Sequence, residues 1–245
     1  MARKPDFFLV GAPRCGTTAM YQYLRAHPDI FMPFFKEPNY FGTDLRGPKM
    51  DEFRGKPRKY LGLFAPAKDE RRVGEASQWY LYSTQAAKEI RAFAPDAKIL
   101  AMLRSPADML YSCYYQWLYT GNEVLPTFEA ALAAEPARRQ GRLIPPLAHT
   151  LHAFYYSELP RYAEQLQRYF DVFGRDQIHV IVYDDFKDDT AGVYRRALEF
   201  LDVDPTFETE FQVVNANKEV RHGALRKALM TVGISYTSFR FPRLR

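Results

Sequence analysis

Between Val10 and Thr18 the chain reads V-G-A-P-R-C-G-T-T. Two glycines, a cation between them and a pair of hydroxyls make the parts of an anion-holding turn. Gly11 and Gly16 let the backbone approach a phosphate, and a helix starting after them would aim free N–H groups at it. The spacing matches the Walker pattern G-x-x-x-x-G-K-[ST] at both glycines and at Thr18, but Thr17 stands where the lysine belongs. The basic residue is Arg14, two positions before Gly16. The Walker lysine serves the terminal phosphates of a triphosphate. A forward cation and a doubled threonine suit a single 5′-phosphate that carries a transferable group.

The elements around this loop set its geometry. Phe7–Val10 is predicted as a short buried strand, and Thr17–Ala26 as a helix with Met20, Tyr23 and Leu24 on one face, ended by His27-Pro28. Lys98–Arg104 reads as a second buried strand. It leads into Ser105-Pro106-Ala107-Asp108, a helix start with a serine cap and proline at the first position. That helix is expected to run to about Tyr119 and stop at Gly121. Pro160–Phe170 and Val193–Leu201 read as helices, Ile178–Tyr183 as a third strand and Val73–Ala76 as a short further one. Alternation of this kind predicts an α/β fold, three-layered and P-loop-like, with a central, mainly parallel sheet flanked by helices. The chain is expected to be one domain over residues 1–245, with insertions at 33–66 and 135–146 lying over one end of the sheet.

Composition narrows the function. Hydrophobic residues make up 47% and charged residues 26%, which fits a globular core rather than disorder. A net charge of +5 favours anionic ligands, but no long basic tract or nucleic-acid motif accompanies it, so no nucleic-acid partner is expected. Two cysteines, Cys15 and Cys113, fall in candidate ligand-facing segments without metal-type spacing, and point to a reduced, cytoplasmic protein. No membrane span is expected, because no apolar run approaches the ~20 residues that one requires. The sequence is silent on oligomeric state.

The Gly11–Thr18 turn resembles the 5′-phosphosulfate loop G-x-x-[KR]-x-G-T-[ST] of the PAPS-dependent sulfotransferases, whose donor is 3′-phosphoadenosine 5′-phosphosulfate (PAPS). A second segment is similar to that family independently. Its members bind the donor's 3′-phosphate with an arginine at a strand end and a serine eight residues on, as Arg104 and Ser112 stand here. An arginine so placed offers a phosphate a fork of donors. Within the family, the motifs are closest to the carbohydrate and heparan-type enzymes. Lys36-Glu37-Pro38-Asn39-Tyr40-Phe41 resembles their E-P-x-F-F element, whose glutamate is the general base. Gly74-Glu75-Ala76-Ser77-Gln78-Trp79-Tyr80 resembles G-E-x-[ST]-P-x-Y, with Gln78 in place of proline.

The resemblance implies sulfuryl transfer to a hydroxyl or amine on a small-molecule or glycan acceptor. Glu37 would be the base and Arg14 an electrostatic clamp, since arginine's very high pKa excludes it as an acid. The donor would be held by Gly11, Arg14, Cys15, Gly16, Thr17, Thr18, Arg104 and Ser112, with Lys218 and Arg221 from the basic 215–227 segment. Lys36, Trp79 and Tyr80 would face the acceptor. Tyr114, Trp117 and Tyr155–Tyr156 could equally admit a phenol or a lipid. Among the histidines, His149 and His152 are the reserve candidates for the base. With no Walker lysine and no acidic metal site, no metal is expected. The alternatives are a P-loop small-molecule kinase, which would depend on magnesium, and a catalytically silent nucleotide-binding domain.

Overall fold

The computed structural model describes residues 3–47, 50–146, 148 and 150–211. In chain order the elements are β1 (Phe7–Gly11), α1 (Thr17–Ala26), β2 (Ile30–Phe31), α2 (Pro57–Gly62), β3 (Arg72–Ala76), α3 (Ala86–Phe93) and β4 (Lys98–Leu103). Then come α4 (Pro106–Thr120), α5 (Phe128–Ala133), α6 (Glu135–Arg139), α7 (Tyr162–Phe173), β5 (Ile178–Val182), α8 (Tyr183–Asp188) and α9 (Thr190–Phe200). Single 3₁₀ turns occupy Gln78–Tyr80 and Leu151–Phe154.

The strands form one sheet in the order β2-β3-β1-β4-β5, and every pairing is parallel. Parallel strands are covered on both faces, so they read as unbroken apolar runs. β1 is the extreme case, buried at all five positions. Its side chains alternate between two apolar layers: Phe7 and Leu9 join one, Phe8 and Val10 the other. Met20 and Leu24 of α1, Met109 of α4 and Leu198 of α9 complete the first layer. Tyr60 of α2, Ile90 of α3 and Tyr169 of α7 complete the second. The result is the expected α/β/α sandwich.

Parallel pairing has a consequence for function. All strand C-termini lie along one edge, where ligands bind in such sheets, beside the point at which successive connections leave in opposite directions. Here β1 sends the chain towards β2 and β3, while β4 and β5 lie on its other side. The Gly11–Thr18 loop, Ser77–Tyr80, Arg104 and Tyr183 all follow C-terminal strand ends and so gather at this edge.

Several expectations need correction. Ser105 makes no side-chain cap to α4; the helix start rests on Pro106 instead, and Gly121 closes the other end in the left-handed conformation. The α7 helix begins at Tyr162 rather than Pro160 and runs on to Phe173. The 33–66 segment contains α2, which sends Tyr60 into the core, and Phe64 just beyond it is buried there too. In the 135–146 segment Arg138 is buried. Its guanidinium donates to both Glu123 oxygens at 2.8 Å and stacks over Phe154. Burial opposes ionisation of Glu123. Arg138 and the N–H groups of Val124 and Leu125 outweigh it and hold the carboxyl below its ordinary range.

Candidate active site

The loop after β1 leads straight into α1. Arg14 has φ 62° and Gly16 φ 85°, both left-handed. Gly16 is required twice over: its φ suits a residue without Cβ, and a Cβ there would lie 3.0 Å from the Tyr183 ring. Arg14 carries the same twist with a side chain, an outlier of the kind that concentrates at functional sites. No side chain among the described residues caps α1, and no acidic residue lies in its first turn. Ala19 and Met20 donate to the Gly16 carbonyl, and the Thr17 and Thr18 N–H groups before them are positioned for an external anion.

Arg14 and Arg104 converge on this loop. Arg14 Nε donates to Ser112 Oγ at 3.0 Å, and Arg104 donates to the Arg14 carbonyl at 3.3 Å. The sequence assigned Arg14 to one phosphate and Ser112 to another; the fold makes the two neighbours. Burial lowers the Arg14 pKa, and the adjacent Arg104 charge adds to the shift. A second anionic group beside this pair would relieve that repulsion. Arg104 stacks over the Tyr183 ring at 4.7 Å, and its buried Nε has no hydrogen-bond partner among the described residues. An orphaned guanidinium donor beside an uncapped helix start fits a ligand with more than one phosphate. Tyr183 carried no signal in the sequence, because its role arises only when β5 lies beside β4.

Cys15 and Cys113 are fully buried. Burial pushes the Cys15 thiol up to about 12, and its S–H donates to the Pro13 carbonyl at 3.4 Å, which leaves the backbone N–H as what Cys15 offers an anion. Lys218 and Arg221, with His149 and His222, lie outside the described residues. His152 lies on a 3₁₀ turn, and its Nε2 accepts the Arg46 N–H at 3.1 Å. That bond leaves this ring nitrogen occupied.

A cavity of about 480 Å³ opens beside the loop. Thr18 lines it from α1, and Lys36, Glu37 and Asn39 from the following segment. Gln78, Trp79, Trp117, Asn122 and Phe154 form further wall. Lys36 and Glu37 form an ion pair at its side. Trp79 lines the cavity. Tyr80 does not: it is fully buried, and its hydroxyl donates to Glu75 at 3.1 Å. The 3₁₀ turn explains the split, since neighbouring residues on a three-residue turn point in different directions.

Behind this wall stands Glu75, with no exposed surface. Its carboxylate accepts from Ser77 at 2.6 Å, Tyr60 at 2.7 Å and Tyr80 at 3.1 Å. Burial pushes the Glu75 carboxyl up to about 7, against the lowering effect of those hydroxyls. A raised carboxyl pKa means that the folded state holds the proton more tightly than the unfolded one. The associated stability is full below the ordinary value of 4.5 and is lost as pH rises through about 7. Glu75→Gln has no such proton to lose. The melting temperature of the native protein relative to this variant should therefore fall between about pH 4.5 and 7 and level off above, as thermal melts across that range would show.

A protein-family model for the sulfotransferase domain matches residues 4–227. The chain belongs to the sulfotransferase family. The crystal structure of a sulfotransferase from Alicyclobacillus acidocaldarius is 35% identical, covers 94% of this chain and 91% of that one, and superposes with a TM-score of 0.78. Among curated proteins, carbohydrate sulfotransferase 15 of Rattus norvegicus is 26% identical over 84% of this chain and 45% of its own length. Heparan sulfate glucosamine 3-O-sulfotransferase 6 of Mus musculus is 26% identical over 88% of this chain and 57% of its own length. This sulfotransferase-family chain thus spans about half the length of those relatives. Among its described residues no helix is long and apolar enough to cross a membrane, and no three His, Cys, Asp or Glu side chains group as a metal site.

Proposed function

We propose that this chain moves a sulfuryl group from PAPS to a hydroxyl or amine of a carbohydrate-like acceptor by in-line displacement. One observation carries the proposal: Thr18 of the anion loop and Glu37 line the same cavity at the C-terminal edge of the sheet. The donor would supply an activated sulfuryl group on a phosphate leaving group. The N–H groups from Arg14 to Thr18 and the Thr17 and Thr18 hydroxyls would hold the 5′-phosphate. Arg104 and Ser112 would hold the 3′-phosphate. Arg14, released from or shared with Ser112, would offset charge developing on the leaving oxygen. Glu37 would take the acceptor's proton at a carboxylate oxygen, with Lys36 orienting that carboxylate.

The cavity walls support this acceptor class. Trp79, Trp117 and Phe154 offer flat apolar faces, while Gln78, Asn39 and Asn122 bring amides to the same space. A sugar, with apolar C–H faces and a rim of hydroxyls, matches that mixture. The names of the carbohydrate and heparan sulfate relatives favour the same class. The test is to incubate the protein with PAPS and, separately, an N-acetylglucosamine oligomer, N-desulfated heparan sulfate and p-nitrophenol. Adenosine 3′,5′-bisphosphate and a singly sulfated sugar are the expected products. Sulfation of p-nitrophenol alone would overturn the acceptor class, and no turnover with any of them would overturn the activity.

A further inference from the structure

The segment bearing Glu37 is anchored by three backbone N–H groups. Glu37 donates to the Ala76 carbonyl at 2.9 Å, Asn39 to Ser77 Oγ at 3.2 Å and Phe41 to the Tyr80 hydroxyl at 3.2 Å. The segment needs anchoring, because Glu37 and Asn39 both hold positive φ, at 64° and 48°. Two of the three acceptors are hydroxyls. A hydroxyl presents a settled lone pair to an N–H only when its own proton is committed elsewhere. Both protons are committed to Glu75, which also accepts from Tyr60.

An ionised carboxylate is acceptor-only, and it can take all three of these donors at once. An isolated core carboxylate would be costly, whereas three hydroxyl donors offset much of that cost. We propose that Glu75 is the positioning residue for the base: through Ser77 and Tyr80 it fixes the 37–41 segment and so sets where the Glu37 carboxylate stands. The proposal deepens the function above and rests on Glu37 being the base. The charged or titratable groups that bear on Glu75 are Tyr60 from α2, Tyr80 after β3, Tyr169 from α7 and Glu37 itself, beside the neutral Ser77 hydroxyl. Burial pushes the Glu75 carboxyl itself up to about 7.

The test uses Glu75→Gln and Ser77→Ala in the full chain. A glutamine amide must donate where the carboxylate only accepts, so a hydroxyl is forced to turn. The alanine removes the Ser77 link with little change in volume. Hydrogen exchange, corrected for intrinsic rates, should show about 10-fold less protection over 37–41 in both variants, with the β4 peptide unchanged. Turnover of PAPS with the best acceptor should fall about 10–100-fold in kcat while the dissociation constant for adenosine 3′,5′-bisphosphate stays the same. The native pH–rate profile should carry an inflection near pH 7 that Glu75→Gln lacks.

Unchanged protection over 37–41 would overturn the proposal. So would lost protection with native kcat, or a pH 7 inflection that survives in Glu75→Gln. The exchange experiment needs neither donor nor acceptor. It reads the tether even if the sulfotransfer activity itself fails, so the two failures are separable.

Discussion

Glu37→Gln is expected to lower kcat by about 10²–10⁴-fold, the usual contribution of a general base, while leaving donor affinity within about twofold. The substitution is nearly isosteric. It should keep the left-handed backbone at Glu37 and the N–H bond to Ala76, and it removes only the proton-accepting charge. Single-turnover formation of adenosine 3′,5′-bisphosphate, set beside calorimetric donor binding, separates the two effects. The Lys36 ammonium loses its ion-pair partner in this variant. A companion Lys36→Met therefore checks that the loss follows the carboxylate and not a displaced lysine. Native turnover in Glu37→Gln would remove Glu37 from the proton path.

Arg14→Ala is expected to cost about 10²–10³-fold in kcat, the scale seen when a group stabilising transition-state charge is removed. Arg14 is held between Ser112 and Arg104, so its charge stands at the loop before any ligand arrives. Arg14→Lys should recover part of the loss, because a lysine restores the charge without the fork that reaches Ser112. Steady-state kinetics of the two variants test this, with circular dichroism as the check on folding. Equal activity of Arg14→Ala and the native protein would exclude the electrostatic role.

Much of the site's frame was legible in the sequence because it rests on local rules. The strand–glycine–helix run from Phe7 to Ala26 and the strand leading to Arg104 each carry strong periodicity and clear stops. Once both strands are parallel and adjacent, Arg14, Arg104 and Ser112 must meet. What was not legible depends on partners remote in sequence. Tyr80 looked like a cavity residue because nothing local says which side of a three-residue turn faces the core. The buried Arg138–Glu123 pair was hidden too, because no local spacing rule joins the two residues.

The buried network around Glu75 is the clearest instance. Its donors come from Tyr60, Ser77 and Tyr80, and no spacing rule joins a helix in the 33–66 segment to the end of β3. The positive φ values at Arg14 and Glu37 were equally hidden, since glycine and, less strongly, asparagine are the residues that advertise that conformation in sequence. Both of these strained positions are residues proposed to do the chemistry. Local rules fail where the surrounding structure holds the backbone against its own preference.

The most direct test of a PAPS site is calorimetric titration of the chain with adenosine 3′,5′-bisphosphate and with ATP, each with magnesium and with EDTA. The uncapped α1 start and the Arg14–Ser112–Arg104 cluster predict that the bisphosphate binds in EDTA, at least about 10-fold more tightly than ATP. Preference for magnesium–ATP, or no binding of either nucleotide, would contradict it.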